Sequence, residues 1–531
     1  MDTVNYRRQT EMTMELLSIR NPGTGEMIKE LSLTPKVEIQ SLFERAAVVQ
    51  KAWAMVPVKK RIAMIVDLRE TLINHIDDLG ELISNENGKP RFESMMNEIF
   101  SVIELCSYFA KNGEALLRDS KIPMGLMKHR ASYLNYWPLG VITVISPWNY
   151  PFLLPMGELV MGVLAGNAII FKPSEITPLI GLRIQEIFEE AGFPKGLITT
   201  VVGDGAIGAA IIDQRPAKIF FTGSVATGKK IMRQAADHLI PVNLELGGKD
   251  PMIVLADADL DFATSAALWG GFSNSGQICA SVERIIVHES IAPAFNQQLK
   301  EKILTLRHGV SVKGNNDLGA ITFEKQKDVY SAQIKQAKEK GAEFITGGEF
   351  SSDRRYLEPT VVTGKNIEEL DIYNEETFGP VVAITTFKSI DEAVEKANRS
   401  RYGLLASIIT KNHGLAESIA KRLEVGTITI NEVVYTAGLP ETPWGGVKET
   451  GFGRKHSARG LYEFVNTRHV HKPLNSLFVF KSLWWFPYTP FQQATFRLFV
   501  EFYRKSWLAR ARAFPAWVWN LVQFLKREPR I

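Results

Sequence analysis

Between Val141 and Leu255 short apolar runs alternate with amphipathic stretches, and this constrains the fold more than any other feature of the chain. The runs Val141–Ser146, Ala168–Phe171, Ile198–Val202, Lys218–Phe221, Val242–Leu246 and Met252–Leu255 suit strands buried on both faces. Leu179–Ala191 and Gly228–Ala236 carry helical periodicity between them. Strand and helix in alternation imply a parallel, doubly wound sheet with crossover helices. A second block repeats the texture, with strands expected at Arg284–Val287, Val381–Phe387, Ala406–Ile409 and Thr427–Ile430. Helices are expected between them at Pro293–Leu306, Ile390–Asn398 and Gly414–Leu423. The change of domain is placed just after Leu246. Ahead of both blocks the chain reads as helices, over Leu42–Met55, Arg61–Ile76 and Glu93–Phe109. The fold class expected is therefore α/β with two doubly wound domains.

At 531 residues the chain exceeds what one core supports, so two or three domains are expected. Its two cysteines, Cys106 and Cys279, make neither a disulfide framework nor a zinc site, and a reducing, cytoplasmic setting follows. No metal is called for. The N-terminal stretch mixes Asp2, Arg7, Arg8, Glu11 and Glu15 without an apolar core, so no secretory signal is expected. No run reaches the roughly 18 apolar residues of a membrane span. The net charge of +4 is unevenly placed: from Leu477 onward nine Lys/Arg face Glu501 and Glu528. The global charge therefore gives no reason to expect nucleic acid.

Six stretches carry chemistry. In F-S-N-S-G-Q-I-C-A-S-V-E-R, Phe272–Arg284, small residues precede Cys279, and a helix from Asp259 to about Phe272 leads in. A thiol so placed is open to a small electrophile, although a buried structural cysteine is the commoner use. V-I-T-V-I-S-P-W-N-Y-P-F, Val141–Phe152, sets Asn149 at a strand end, where its amide can donate to a developing oxyanion or satisfy its own turn. F-K-P-S-E-I-T-P, Phe171–Pro178, brings Lys172 and Glu175 to a strand edge, where a carboxylate can bind ribose hydroxyls and disfavours a 2′-phosphate. F-F-T-G-S-V-A-T-G-K-K, Phe220–Lys230, opens a helix whose N-H groups can meet a phosphate. Lys230 stands where a Walker A loop needs Ser or Thr, so it is not one, and no G-x-G-x-x-G fingerprint occurs. In L-E-L-G-G-K, Leu244–Lys249, Glu245 lies inside an apolar strand, where desolvation raises a carboxyl pKa and suits it to general base work. Pairing with a nearby lysine is the structural alternative. N-E-E-T-F-G-P-V from Asn374 adds Glu376 and Phe378 before a strand.

These motifs resemble, in order, those of the aldehyde dehydrogenase superfamily. The likeness runs from N-P-G-T-G-E at Asn21 to about Phe464, and Glu245 and Cys279 stand 34 positions apart, as in that family. Pro443–Lys448, Gly451–Arg454 and Gly460–Phe464 look like its C-terminal signature. The resemblance implies that Cys279 attacks an aldehyde, that Asn149 and the Cys279 N-H hold the oxyanion, and that Glu245 activates water against a thioester. It implies a nicotinamide cofactor, NAD with NADP admissible. The residues implied to bind it are Ser146, Pro147, Trp148, Lys172, Ser174, Glu175, Gly203, Gly208, Gly223, Ser224, Thr227, Leu246, Glu376 and Phe378. Acyl transfer to coenzyme A is disfavoured by Glu245. The implied layout is an NAD-binding domain over 1–116 and 138–247 and a catalytic domain over 248–448. An oligomerisation segment over 117–137 and 449–474, including a hairpin near Ser132 to Tyr136, would build a homodimer or homotetramer.

The resemblance ends near Leu474, and the tail over 475–531 holds half of the ten tryptophans and nine of the phenylalanines. Phe496, Phe499, Val500, Tyr503 and Trp507 would share one helical face, with Arg497, Glu501, Arg504 and Lys505 around the other. Trp and Phe against Lys and Arg is the composition of a helix in a membrane interface. Pro487, Pro490 and Pro515 are expected to divide it. The alternative is a tail packed on a protein body. On this basis the expected substrate is a medium- or long-chain aliphatic aldehyde, and the site the cytoplasmic face of a membrane. A small semialdehyde competes, and would need an arginine for its second carboxylate, with Arg284 one option. A membrane-associated protein without activity is the reading of another class.

Overall fold

The computed structural model describes residues 16–125, 127–309, 315–479 and 481–527. Asp2, Arg7, Arg8, Glu11, Glu15, Glu528 and Arg530 lie outside them. The chain divides into two compact units, 1–117 with 137–466, and 118–136 with 467–531.

The larger unit holds two sheets. In the first, the strands run Gly451–Phe452, Val242–Glu245, Ile219–Thr222, Val141–Ile145, Ala168–Lys172, Ile198–Thr200 across the sheet. All pair in parallel except the short Gly451–Phe452 edge. The chain winds outward from Val141–Ile145 through Ala168–Lys172 to Ile198–Thr200. It then returns to the other side of Val141–Ile145 at Ile219–Thr222, which creates a topological switch point between the two strands. Ligands of open α/β sheets sit at the carboxyl ends of strands beside such a switch. The residues Ile142, Val144, Ile169, Ile170, Phe171 and Ile219 are wholly buried, as strands covered on both faces require.

The second sheet has seven strands, in the order Glu343–Thr346, Thr360–Thr363, Val381–Phe387, Val282–His288, Asp250–Val254, Leu405–Ile409, Thr427–Ile430. Only the Glu343–Thr346 edge runs antiparallel. The chain leaves the first sheet at Glu245 and enters the second at Asp250. Several of the helices between strands start on side-chain caps that accept from first-turn N-H groups. Asp204 caps Gly205–Asp213, Ser224 caps Val225–Ala236 and Asp259 caps Leu260–Phe272.

The smaller unit is built on a three-stranded sheet, ordered Val465–Pro473, Arg130–Pro138, Ser120–Ile122. Its compact partner segment begins at Thr467 rather than at 449, because Gly451–Phe452 pairs with Leu244 and Glu245 instead. The tail forms helices Pro490–Val500 and Trp507–Arg527. Two expectations for it need correction. Residues 496–507 do not share one helix, since the chain passes through a 3₁₀ turn at Glu501–Tyr503. Phe499 and Phe502 turn inward against Trp517, with ring centroids at 6.4 and 5.4 Å, while Phe496, Val500, Tyr503 and Trp507 stay exposed. Pro515 does not divide Trp507–Arg527 but lies inside it. The carbonyl of Ala511, which a proline cannot engage, belongs to an exposed residue. Among the described residues no helix is long and apolar enough to cross a membrane.

Candidate active site

A cleft of about 740 Å³ opens at the switch point. It is lined by Ser146, Pro147, Trp148 and Asn149 after one strand, and by Gly223, Ser224 and Thr227 after the next. Lys172, Ser174 and Glu175 line it, as do Gly208, Glu245, Leu246, Glu376, Phe378 and Cys279. Of the catalytic and cofactor residues that the resemblance implied, Gly203 alone is not brought to this wall. A side chain there would meet Ile207 at 2.4 Å, so Gly203 serves the turn into Gly205–Asp213, and that helix reaches the cleft through Gly205 and Gly208.

A second cavity, of about 230 Å³, is walled chiefly by apolar and aromatic groups, among them Phe100, Tyr150, Leu153, Trp269, Tyr435 and Trp444. Cys279 lines both cavities. It is half-buried at their junction.

The approach to Cys279 is tightly specified. Asn274, Ser275 and Gly276 are consecutive left-handed residues, at φ 50, 53 and 69°. A Cβ on Gly276 would lie 2.0 Å from the Gly379 carbonyl oxygen, so only glycine fits there. From the other side a Cβ on Gly248 would meet the Cys279 carbonyl oxygen at 2.1 Å. The segment between the two sheets therefore lies directly against the cysteine loop. Asn149 Nδ2 donates one hydrogen to the Gln277 carbonyl at 2.9 Å, and the amide has a second to give.

Electrostatics separate the groups by role. Burial, with the Asp250, Glu376 and Glu245 carboxyls adding to it, pushes the Cys279 thiol up to about 12; Lys455 pulls it down. Burial raises Glu245 to about 8, against the pull of Lys455 and Arg454 and with the help of Glu158. Glu245 Oε1 is buried without a hydrogen-bond partner among the described residues. It faces Gly445, where a Cβ would stand 2.9 Å away. Lys455 bears on both groups. It lies 2.7 Å from Glu158 Oε1 and donates to Thr222 Oγ1 at 2.5 Å. Glu376, raised to about 8 by burial, accepts from the Gly248 N-H at 2.9 Å. Lys172, lowered by burial, lies 3.6 Å from the Glu175 carboxylate.

The donor set along the cleft fits a dinucleotide. Ser146 Oγ is buried without a partner among the described residues. The helix Val225–Ala236 begins at the wall, with one of its unpaired first-turn N-H groups taken by the Ser224 cap. Trp148 and Phe378 meet edge to face at 5.4 Å on that same wall. Among the described residues no cluster could hold a metal ion.

Sequence reasoning missed Lys455, Glu158 and His456. His456 lines the apolar cavity, and burial lowers it to about 4, so it is neutral at ordinary pH. In the sequence Lys455 and His456 follow a glycine turn and look like any exposed pair.

The chain matches the profile of the aldehyde dehydrogenase family over residues 8–470, and it belongs to that family. The 4,4'-diapolycopene aldehyde oxidase of Methylomonas sp is 37% identical over 92% of this chain and 91% of its own. A Mycolicibacterium smegmatis protein, provisionally described as a succinate-semialdehyde dehydrogenase using NADP(+), is 36% identical over 84% of this chain and 87% of its own. Among solved structures, betaine aldehyde dehydrogenase from Staphylococcus aureus, in complex with NAD+, superposes with a TM-score of 0.82. The two are 31% identical, over 87% of this chain and 92% of that one.

Proposed function

We propose that this protein oxidises an extended apolar aldehyde to the carboxylic acid, with Cys279 as nucleophile and NAD as the preferred hydride acceptor. The observation that carries this reading is that Cys279 lines both the polar cleft and the apolar cavity. The thiol proton is released to solvent through the cleft that Cys279 lines, and sulfur bonds to the carbonyl carbon. Asn149 Nδ2 and the Cys279 N-H hold the resulting oxyanion. A bound NAD would supply the acceptor for the hydride of the tetrahedral carbon. Its ribose and phosphate groups fall to Lys172, Glu175, Glu376 and the start of Val225–Ala236. Cys279 is then a thioester, and Glu245 takes a proton from water as the oxygen attacks it. The acid departs and the thiol is restored. Replacing Cys279 with alanine abolishes NADH formation and leaves NAD binding; turnover in that variant would overturn the assignment.

The apolar wall supports the substrate class. A semialdehyde needs a cation for its second carboxylate, and Arg284 does not serve. Its guanidinium donates to the carbonyls of Lys249, Lys396 and Ala397 at 2.8, 3.0 and 3.0 Å, and it does not line the cavity. Lys455, a cation that does line it, is held by Glu158. NADH formation across aldehydes of rising chain length tests this, and a preference for succinate semialdehyde would discard it. The exposed Trp484, Trp485, Phe486, Tyr503, Trp507 and Trp519, with Arg497, Lys505, Arg510 and Arg512 in the same tail, support peripheral contact with a membrane surface. The three-stranded sheet is the segment proposed for homo-oligomer formation, which light scattering of the intact chain would test.

A further inference from the structure

The oxyanion pocket needs the Asn149 amide and the Cys279 N-H held at a fixed separation, yet both come from loops. A single stretch of chain reaches both loops. The helix Ile76–Asn87 ends at Gly88, which is left-handed at φ 88°, and the chain continues through Lys89 into a π-helical turn at Ser94–Phe100. Such turns recur at functional sites. Asn87 Nδ2 donates to the Trp148 carbonyl at 2.8 Å. Lys89, whose side chain is wholly buried, donates to the Asn149 carbonyl at 2.7 Å and to Glu98 Oε1 at 2.6 Å, and lies 3.9 Å above the Tyr150 ring. The other Glu98 oxygen accepts from the N-H groups of Phe152 and Leu153, at 2.8 and 3.1 Å. Glu93, on the same turn of chain, takes the second loop. It accepts from the Asn274 N-H and the Ser273 hydroxyl, each at 3.0 Å. Asn274 Nδ2 closes the circuit on the Asn149 carbonyl at 3.1 Å.

We propose that Lys89, braced by Glu98, is a positioning residue for the oxyanion pocket, tying the Asn149 loop to the same element through which Glu93 grips the Cys279 loop. The physical reason is that a buried ammonium must satisfy its donors. Two of them converge on the Asn149 carbonyl and Glu98, so rotation of the Asn149 peptide would strand a buried charge. A charge-assisted bond of this kind is stiffer than a neutral one. Lys89 touches neither substrate nor cofactor, and its effect runs through Asn149.

This inference rests on the proposed role of Asn149 and Cys279, so the test separates the two. Lys89→Met, which keeps the length of the side chain without its charge, is expected to lower kcat for aldehyde about 10- to 100-fold, below the full worth of an oxyanion donor. The NAD dissociation constant is expected to stay unchanged. Alkylation of Cys279 by iodoacetamide, a displacement at saturated carbon that builds no oxyanion, should keep its wild-type rate. In an Asn149→Ala background the same change should cost no further kcat, as coupled residues require. Equal losses in both backgrounds would overturn the proposal, and so would slowed alkylation, which would show a disordered cysteine loop. If Lys89→Met does not fold, the neutral pair Lys89→Met with Glu98→Gln is put through the same cycle and must show the same coupling. Failure of the underlying reading looks different: Asn149→Ala alone would then leave kcat at the wild-type value.

Discussion

At Glu245, the proposed base, the surroundings set the pH at which the proposed thioester hydrolysis would run. Burial raises the carboxyl to about 8, so the base form is the minority at neutral pH and grows on the alkaline side. The expected acid limb of kcat therefore lies near 8, well above that of a free glutamate. Lys455 lowers Glu245 and Glu158 raises it. Lys455→Met should move the limb to higher pH and Glu158→Gln to lower pH, read from the pH dependence of kcat in each. A limb that moved the same way in both would show that the shift is not electrostatic. Glu245→Gln should slow turnover by about 10²- to 10⁴-fold and keep a first-turnover burst of NADH in stopped flow, because hydride leaves before water attacks. At the other end of the cleft, the Glu175 carboxylate beside Lys172 faces the region expected to take the adenosine ribose. Glu175→Gln removes the repulsion of a 2′-phosphate, so the ratio of kcat/KM for NADP to that for NAD should rise about tenfold, the worth of a modest charge term.

At the scale of elements, the central strands of the first sheet, Val141–Ile145, Ala168–Lys172 and Ile219–Thr222, were legible because they are buried almost throughout and read as apolar runs. Ile219–Thr222 and Val141–Ile145 fall within two residues of where the runs place them. Elements with one exposed face were not. Glu343–Thr346, with its first residue exposed, and the half-exposed helix Gln326–Glu339 carry too little apolar signal to find. Leu16–Arg20 and Met27–Ser32 pair only with each other, so their burial is slight. The site divides in the same way. Cys279, Glu245 and Asn149 sit in local motifs, whereas Lys89 follows a helix end and Glu93 and Glu98 lie on helical chain, where a charged residue reads as solvated surface. Their meaning comes from partners 54 to 181 positions away. Glu86 is of the same kind. Buried on Ile76–Asn87, it accepts from the Leu179 and Ile180 N-H groups at 2.8 and 2.9 Å and caps the helix Pro178–Glu190 from outside. Glu86→Ala strands both donors and should lower the unfolding free energy by about 2–4 kcal/mol, measured in urea. A loss below the usual scatter of surface substitutions would mean that water replaces the carboxylate.

At the scale of the whole molecule, charge and aromatic surface are concentrated in the last segment. Nine Lys/Arg stand against two glutamates from Leu477 onward, while the chain as a whole is only +4, so the rest carries the opposite sign. In the tail Phe499, Phe502, Phe514 and Trp517 form one aromatic cluster, which fixes the two helices against each other. Trp484, Trp485, Phe486, Tyr503, Trp507 and Trp519 are left in solvent at half to three-quarters of their full exposure. That is a large apolar surface to leave open, and it supports the proposed membrane contact. Each cation near an anionic bilayer is worth about 1 kcal/mol, and the attraction is screened over about 10 Å at 0.1 M salt. Binding to anionic vesicles should therefore weaken as salt rises and fall further when Trp507 and Trp519 are changed to serine. Truncation after Leu474 should remove vesicle binding while leaving kcat on a short, water-soluble aldehyde within about twofold, since the three-stranded sheet is retained and surface changes away from a site are usually mild. For a long-chain aldehyde supplied in vesicles, the same truncation should raise apparent KM and spare kcat, because delivery and not chemistry is what the tail would provide. Co-sedimentation undiminished by truncation would place membrane contact elsewhere on the chain. Loss of kcat on the short aldehyde would instead make the tail part of the catalytic body.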